Sequence, residues 1–134
     1  LAEQGAKRRT HKPTAAELEI LHILWRRGPS TVREVMDALN VQKDLGYTGV
    51  LKLMQNMTAK GIVRRNETQR AHVYEASRPA EQTKRQLTRD LLQRVFDGST
   101  SQLMAHALDG RTPSRKEIEE IRSILRPYEE EGDD

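Results

Sequence analysis

A run of side chains between Tyr47 and Lys60 is the first feature of this sequence with a chemistry of its own. Its apolar residues Val50, Leu53, Met54 and Met57 recur at i, i+3, i+4 and i+7, the spacing of one helical face. Opposite them lie Thr48, Lys52, Gln55 and Ala59, with Gly49 and Asn56 on the flank. That face holds a hydroxyl, an ammonium and two amides, and no carboxylate. Such groups hydrogen-bond phosphate oxygens and base edges, and Gly49 and Ala59 leave room for close approach. A polar helix face can also be merely solvated; what favours nucleic acid is the company it keeps. Arg64, Arg65 and Arg70 sit on two short apolar-patterned segments, Arg33 opens the preceding helix, and Lys7, Arg8, Arg9, His11 and Lys12 crowd the start of the chain. Neutralising several phosphates with such cations supplies non-specific affinity and makes it salt-dependent. The basic start could also reach a minor groove.

Other chemistries find little support. The chain has no cysteine, which removes disulfides, thiolate metal sites and cysteine nucleophiles. His11, His22, His72 and His106 show no metal-ligand spacing, so neither metal nor cofactor is expected. There is no nucleophile elbow, phosphate loop or catalytic acidic cluster, and an enzyme is not expected. No apolar run approaches the roughly 20 residues of a membrane span, and the polar start lacks the apolar core of a signal peptide. A cytoplasmic protein without membrane contact is the expectation.

The elements that must position these side chains follow from punctuation and periodicity. Residues 1–13 read as a flexible basic arm. Thr14 and Glu17 have capping-box spacing and open a helix that carries Leu18, Ile20, Leu21, Leu24 and Trp25, ended by Gly28-Pro29. Trp25 and His22 are expected on its buried side. Val32, Val35, Met36 and Leu39 define a second helix, which Ser30 or Thr31 can cap. The helix from Tyr47 to Lys60 ends at Gly61, where a left-handed cap residue is favoured. Two strands should follow, from Ile62 to Arg65 and from Arg70 to Ala76, joined by a turn from Asn66 to Gln69. On the second strand His72 and Tyr74 share a face and are expected to pack against the domain body. Three helices and then a hairpin make a winged helix-turn-helix over residues 14–76, whose third helix enters the major groove.

Residues 77–128 open on a boundary at Ser77-Arg78-Pro79 and then read as three helices. One covers 80–96, a short one runs from about Ser99 to Leu108 after a break at Gly98-Ser99, and the Ser114–Glu117 capping box opens the third after a break from Gly110 to Pro113. Residues 129–134 read as a frayed acidic tail. The predicted fold class is mainly α with a small β-hairpin. Leu87, Leu91, Leu92, Val95, Phe96, Leu103, Ile118, Ile121 and Leu125 form apolar stripes that either fold back on the winged helix or pair with a second copy. A wedge of three short helices is too small to build a good core alone, so dimerisation is preferred. The low apolar share, 35% of residues, also leaves surface for a partner subunit to cover. Charge divides in the same way, with 13 Lys and Arg against 8 Asp and Glu up to Ala76 and 10 against 12 beyond it.

Taken together, Ala16 to Leu21, Leu24-Trp25, Gly28-Pro29, Thr31 to Val35, Tyr47-Thr48, Met57 to Gly61 and Arg70 to Tyr74 resemble the penicillinase-repressor family in order and spacing. The resemblance covers nearly the whole chain and is strongest over residues 14–76. It implies a homodimeric repressor on a palindromic DNA operator, a C-terminal dimerisation region, and Tyr47 and Thr48 at the DNA. Three departures stand out. Gly49 and Lys52 occupy places where the family usually or often has threonine, so operator sequence is expected to differ. The cysteine motif of copper-responsive members is absent. The resemblance also implies a sensor protease acting on the C-terminal region at an Asn-Phe pair, but His106-Ala107 stands there, which counts against that cleavage. The competing reading is a winged helix for protein contact without DNA, whose exposed third-helix face would be apolar or acidic.

Overall fold

A computed structural model describes residues 12–39 and 45–131. The arm as far as His11, the connector from Asn40 to Asp44 and the last residues of the acidic tail lie outside the described residues. The elements are α1 (Ala15–Arg27), β1 (Ser30–Thr31), α2 (Val32–Leu39), α3 (Tyr47–Lys60), β2 (Val63–Asn66), β3 (Val73–Ala76), α4 (Ala80–Phe96), α5 (Thr100–Asp109) and α6 (Arg115–Glu131). They fall into two compact units divided between Leu87 and Thr88. This is the mainly helical fold with a small sheet that the sequence predicts.

In the first unit, local chemistry fixes where each helix begins and ends. Thr14 Oγ1 accepts from the Glu17 N–H at 3.2 Å, and the Glu17 carboxylate accepts from the Thr14 N–H at 2.9 Å, so the capping box is complete. Thr31 and Glu34 form the same reciprocal pair before α2, at 3.2 and 2.9 Å. At the end of α3, Gly61 takes φ 82°, a left-handed conformation open to glycine at little cost. Its N–H bonds the Thr58 carbonyl and the Ile62 N–H bonds the Met57 carbonyl, both at 3.0 Å. This double closure is the Schellman arrangement, which satisfies carbonyls the helix leaves orphaned.

The strands differ in detail from the expectation. A third strand, β1, joins the hairpin, giving an antiparallel sheet in the order β1-β3-β2. Ile62 lies outside β2 because its N–H serves the helix cap. β3 begins at Val73, where pairing with Asn66 and Thr31 begins, and Arg70 to His72 belong to the preceding loop. Val63 pairs with Ala76 and Arg65 with Tyr74. Val63 and Tyr74 are buried on that face, against Ile20, Val35, Val50, Met54 and Met57. The polar side of this core holds one designed feature: the buried Glu17 carboxylate receives Lys60 Nζ at 2.8 and 2.9 Å, tying the start of α1 to the end of α3.

One aromatic expectation holds and one needs correction. Trp25 packs half-buried against the core, and its indole N–H donates to the Arg78 carbonyl at 3.0 Å. An indole needs a partner for that donor, which draws the ring to the rim of the core. His22 is exposed and meets Trp25 edge-on, with ring centroids 5.5 Å apart, instead of being buried.

The second unit contains α5, α6 and most of α4. Ser99 caps α5 by accepting from the Gln102 N–H at 3.2 Å, and Ser114 accepts from the Glu117 N–H at 3.1 Å before α6. Phe96 and His106 stack at a tilt, 5.5 Å between centroids. α6 continues through Glu131 instead of fraying at Glu129. The helix runs on past Pro127, and its last three residues are glutamates, which tolerate a helix. None of the three helices contains a buried residue.

Candidate nucleic-acid interface

α3 is held by one face and offers the other. Val50, Met54 and Met57 are fully buried, with Leu51 and Leu53 half-buried beside them. Thr48, Gly49, Lys52, Gln55, Asn56 and Ala59 are all exposed, as the helical spacing predicts. A Cβ built on Gly49 meets no atom within 4 Å, so the fold itself does not require glycine there.

The N-terminus of α3 is chemically unlike those of α1 and α2. Gly46 supplies no side-chain cap, and the first turn carries no acidic residue. Among the described residues no side-chain cap meets the orphan amides, and this end carries the positive pole of the helix dipole. Tyr47, at this end, is 46% exposed.

Beside it lies an open cleft of about 240 Å³, where three elements converge. Thr31 and Arg33 come from the start of α2, Tyr47 from α3, and Arg70 and His72 from the wing loop, with Tyr74 below. Among the described residues, no carboxylate lines it. The structure thus brings together Arg33, Tyr47 and Arg70, three candidates separated by as many as 37 positions. His72 is exposed here instead of packing on the domain body, because it precedes the paired part of β3.

The other wing arginines are placed differently. Neighbours on a strand point to opposite faces, so Arg64 and Arg65 diverge. Arg64 reaches across the hairpin to Glu75 at 3.3 Å. Arg65 shares the face of Tyr74, and its Nε donates to Glu67 at 2.6 Å. A side-chain hydrogen bond with Tyr74, then the Glu67 bond, raises the Arg65 guanidinium above its ordinary pKa. Among the described residues, no carboxylate pairs with Arg33, Lys52 or Arg70. The cations most available to a phosphate are therefore those of the helix face and the cleft.

Sequence reasoning missed the convergence of Thr31 and His72 on this cleft. It also missed the Glu17–Lys60 pair, which joins residues 43 apart. The Thr31-x-x-Glu34 spacing was a legible signal for the second capping box; nothing local signals the other two.

The candidate dimerisation residues are distributed along the C-terminal helices. Leu91 on α4 and Ile118 and Leu125 on α6 are exposed, as is Val95 at 62%. Leu87, Leu92, Phe96, Leu103 and Ile121 are half-buried. Ile124 and Tyr128, 65 and 69% exposed, extend the α6 stripe and were absent from the sequence-derived set. Their i+3 and i+7 spacing from Ile121, with Leu125 at i+4, is the signal that could have found them.

Comparison with known proteins agrees with this layout. The family profile described as "Penicillinase repressor" matches residues 13–127. The methicillin resistance regulatory protein MecI of Staphylococcus aureus (strain N315) is 22% identical over 117 residues, spanning 87% of this chain and 95% of its own. The penicillinase repressor of Staphylococcus aureus is 21% identical over 110 residues, 82% of this chain and 87% of its own. The transcriptional regulator BlaI of Mycobacterium tuberculosis (strain CDC 1551 / Oshkosh) is 39% identical over 59 residues, 43% of each chain.

Proposed function

Because this chain belongs to the penicillinase-repressor family, we propose that it represses transcription as a homodimer bound to a palindromic operator in double-stranded DNA, in the cytoplasm. The observation that carries the reading is the exposed face of α3. It is free of carboxylates, its N-terminus lacks a side-chain cap, and it adjoins the cleft of Arg33 and Arg70. In a winged helix this element lies in the major groove. Thr48, Lys52, Gln55 and Asn56 then face base edges, while Arg33, Tyr47 and Arg70 meet the backbone. Arg64 and Arg65 serve phosphates by exchanging their glutamate partners for DNA. An apolar or acidic α3 face, which a protein-docking winged helix would carry, is not what the chain presents.

Dimerisation supplies the second half of the site. The apolar side chains exposed on α4 and α6 bury themselves against a second copy, and two α3 helices then sit about one DNA turn apart, ~34 Å. The domain assignment follows: residues 14–76 bind DNA and 77–128 dimerise. A sensor protease acting on the C-terminal region, as the resemblance implies, would not meet its usual cleavage pair here. His106 and Ala107 are exposed, but they stand inside the regular helix α5 and are not the Asn-Phe pair.

A titration of the purified chain against a duplex from its own promoter region tests this, with a scrambled duplex as control at two salt concentrations. Sequence-dependent, steeply salt-dependent binding by two subunits per site is expected. Equal weak binding to both duplexes overturns the reading and favours a protein partner.

A further inference from the structure

We propose that the cleft between α2, α3 and the wing loop seats one backbone phosphate of the bound DNA, and that His72 is its proton-dependent third cation. This rests on the DNA-binding reading above. The groups facing His72 are Arg33 from α2, Tyr47 from α3, Arg70 from the wing loop and Tyr74 from β3. Two are permanent cations, two are phenols, and none is a carboxylate. Thr31 adds a hydroxyl at the rim. Among the described residues, nothing acidic pairs with Arg33, Arg70 or His72, so the cleft holds an excess of donors over acceptors. Its complement is an anion with several acceptor oxygens. A phosphodiester between the ends of α2 and α3 satisfies the donors, because helix N-termini at a groove edge point amides at the backbone.

The histidine changes what the site does with pH. An imidazole gains charge in the range between pH 5 and 8 and then donates from both nitrogens. A phosphate bound in the cleft favours the charged imidazole. Binding therefore takes up a proton at His72, and affinity for DNA falls as pH rises. The effect is general to all sequences, since a phosphate contact carries no base information.

The test measures DNA affinity and its salt slope for the full chain at about pH 6 and pH 8, with His72→Gln and His72→Lys alongside. Wild type should bind about fivefold tighter per site at the lower pH, the range of a partly exposed ion pair. Its slope of log affinity against log salt should be nearly the same at both pH values, because the same single phosphate is contacted at each. His72→Gln should lose the pH dependence and keep the weaker, high-pH affinity. His72→Lys should keep the tighter affinity at both values. An unchanged pH response in His72→Gln overturns the assignment, as does a wild type that binds its operator equally at both. A wild type that binds no DNA specifically at either pH defeats the repressor reading itself, which is a separate outcome.

Discussion

Up to Leu87 this chain buries its large apolar side chains within itself; beyond Leu87 no helix does. The buried apolar residues run from Ile20 to Tyr74, drawn from three helices and a sheet that close around them. α4 to α6 are comparably amphipathic, yet Val95, Ile124 and Tyr128 remain more than half exposed. The contrast shows that an apolar stripe does not by itself specify what will cover it. In the winged unit, crossing elements bring Val50 of α3, Val35 of α2 and Tyr74 of β3 onto one centre. In the C-terminal unit none of the three helices contains a buried residue, and under the proposed dimer a second copy covers their apolar stripes.

The strongest way to break this contrast is to place charge on the uncovered side. Val95→Asp combined with Ile124→Asp should leave a monomer in sedimentation. Operator affinity should fall by about 100-fold or more, because the second half-site no longer benefits from a linked partner. Trp25, the only tryptophan, reports the winged unit separately. Its emission should still show a folded domain. A dimer that survives the double substitution would place the interface elsewhere.

Met54→Ala tests the other side. Met54 is fully buried, and loss of such a side chain costs about 2–5 kcal/mol. Unfolding followed at Trp25 should show that loss at every protein concentration. Leu91→Ala, at a residue 43% exposed, should instead produce a loss that shrinks as concentration rises, since association stabilises by mass action. Equal concentration dependence in both variants would erase the distinction between the units.

How much of this was legible depended on the distance over which each feature is determined. α3 runs from Tyr47 to Lys60 and stops at Gly61 as read, because periodicity and cap lie in one short stretch. α4 likewise spans Ala80 to Phe96 between Pro79 and the Asp97-Gly98 break. β1 was hidden because two residues cannot display alternation, and Ser30 and Thr31 become a strand only by pairing with Tyr74 and Val73. The phosphate candidates were identified by residue type, but strand alternation splits Arg64 from Arg65, and loop closure gathers Arg70 with Arg33. Glu17 was read for its local cap; its salt bridge to Lys60 required knowing that the two helix ends meet.

A smaller effect separates fold from function inside α3. Gly49 costs helix stability, and a methyl group there would meet nothing. Gly49→Ala should raise stability by about 0.5–1 kcal/mol in thermal or denaturant unfolding. Operator affinity should fall at the same time if the bare backbone admits close approach to the groove. A variant that gains stability without losing affinity would remove Gly49 from the interface while leaving the rest of the face intact.

The smallest effect lies at the start of α2, where the interface and the fold share one cap. The Thr31 N–H donates to Glu34 and holds its carboxylate below the ordinary glutamate range. Slight desolvation opposes this, and Arg27, 3.6 Å away, adds to the lowering. A folded-state pKa that is depressed contributes stability above the unfolded value, near pH 4.3, and that contribution is lost as pH falls through the folded value. Amide exchange at the first turn of α2 should therefore quicken on acidification below that point, beyond the intrinsic change, and Glu34→Gln should flatten the response. Because Glu34 is exposed, the winged unit's global unfolding should scarcely move. The cap orients Thr31 and Arg33 at the cleft, so Glu34→Gln should weaken DNA binding more than it weakens the fold; equal losses in both would reduce the capping box to a helix stop.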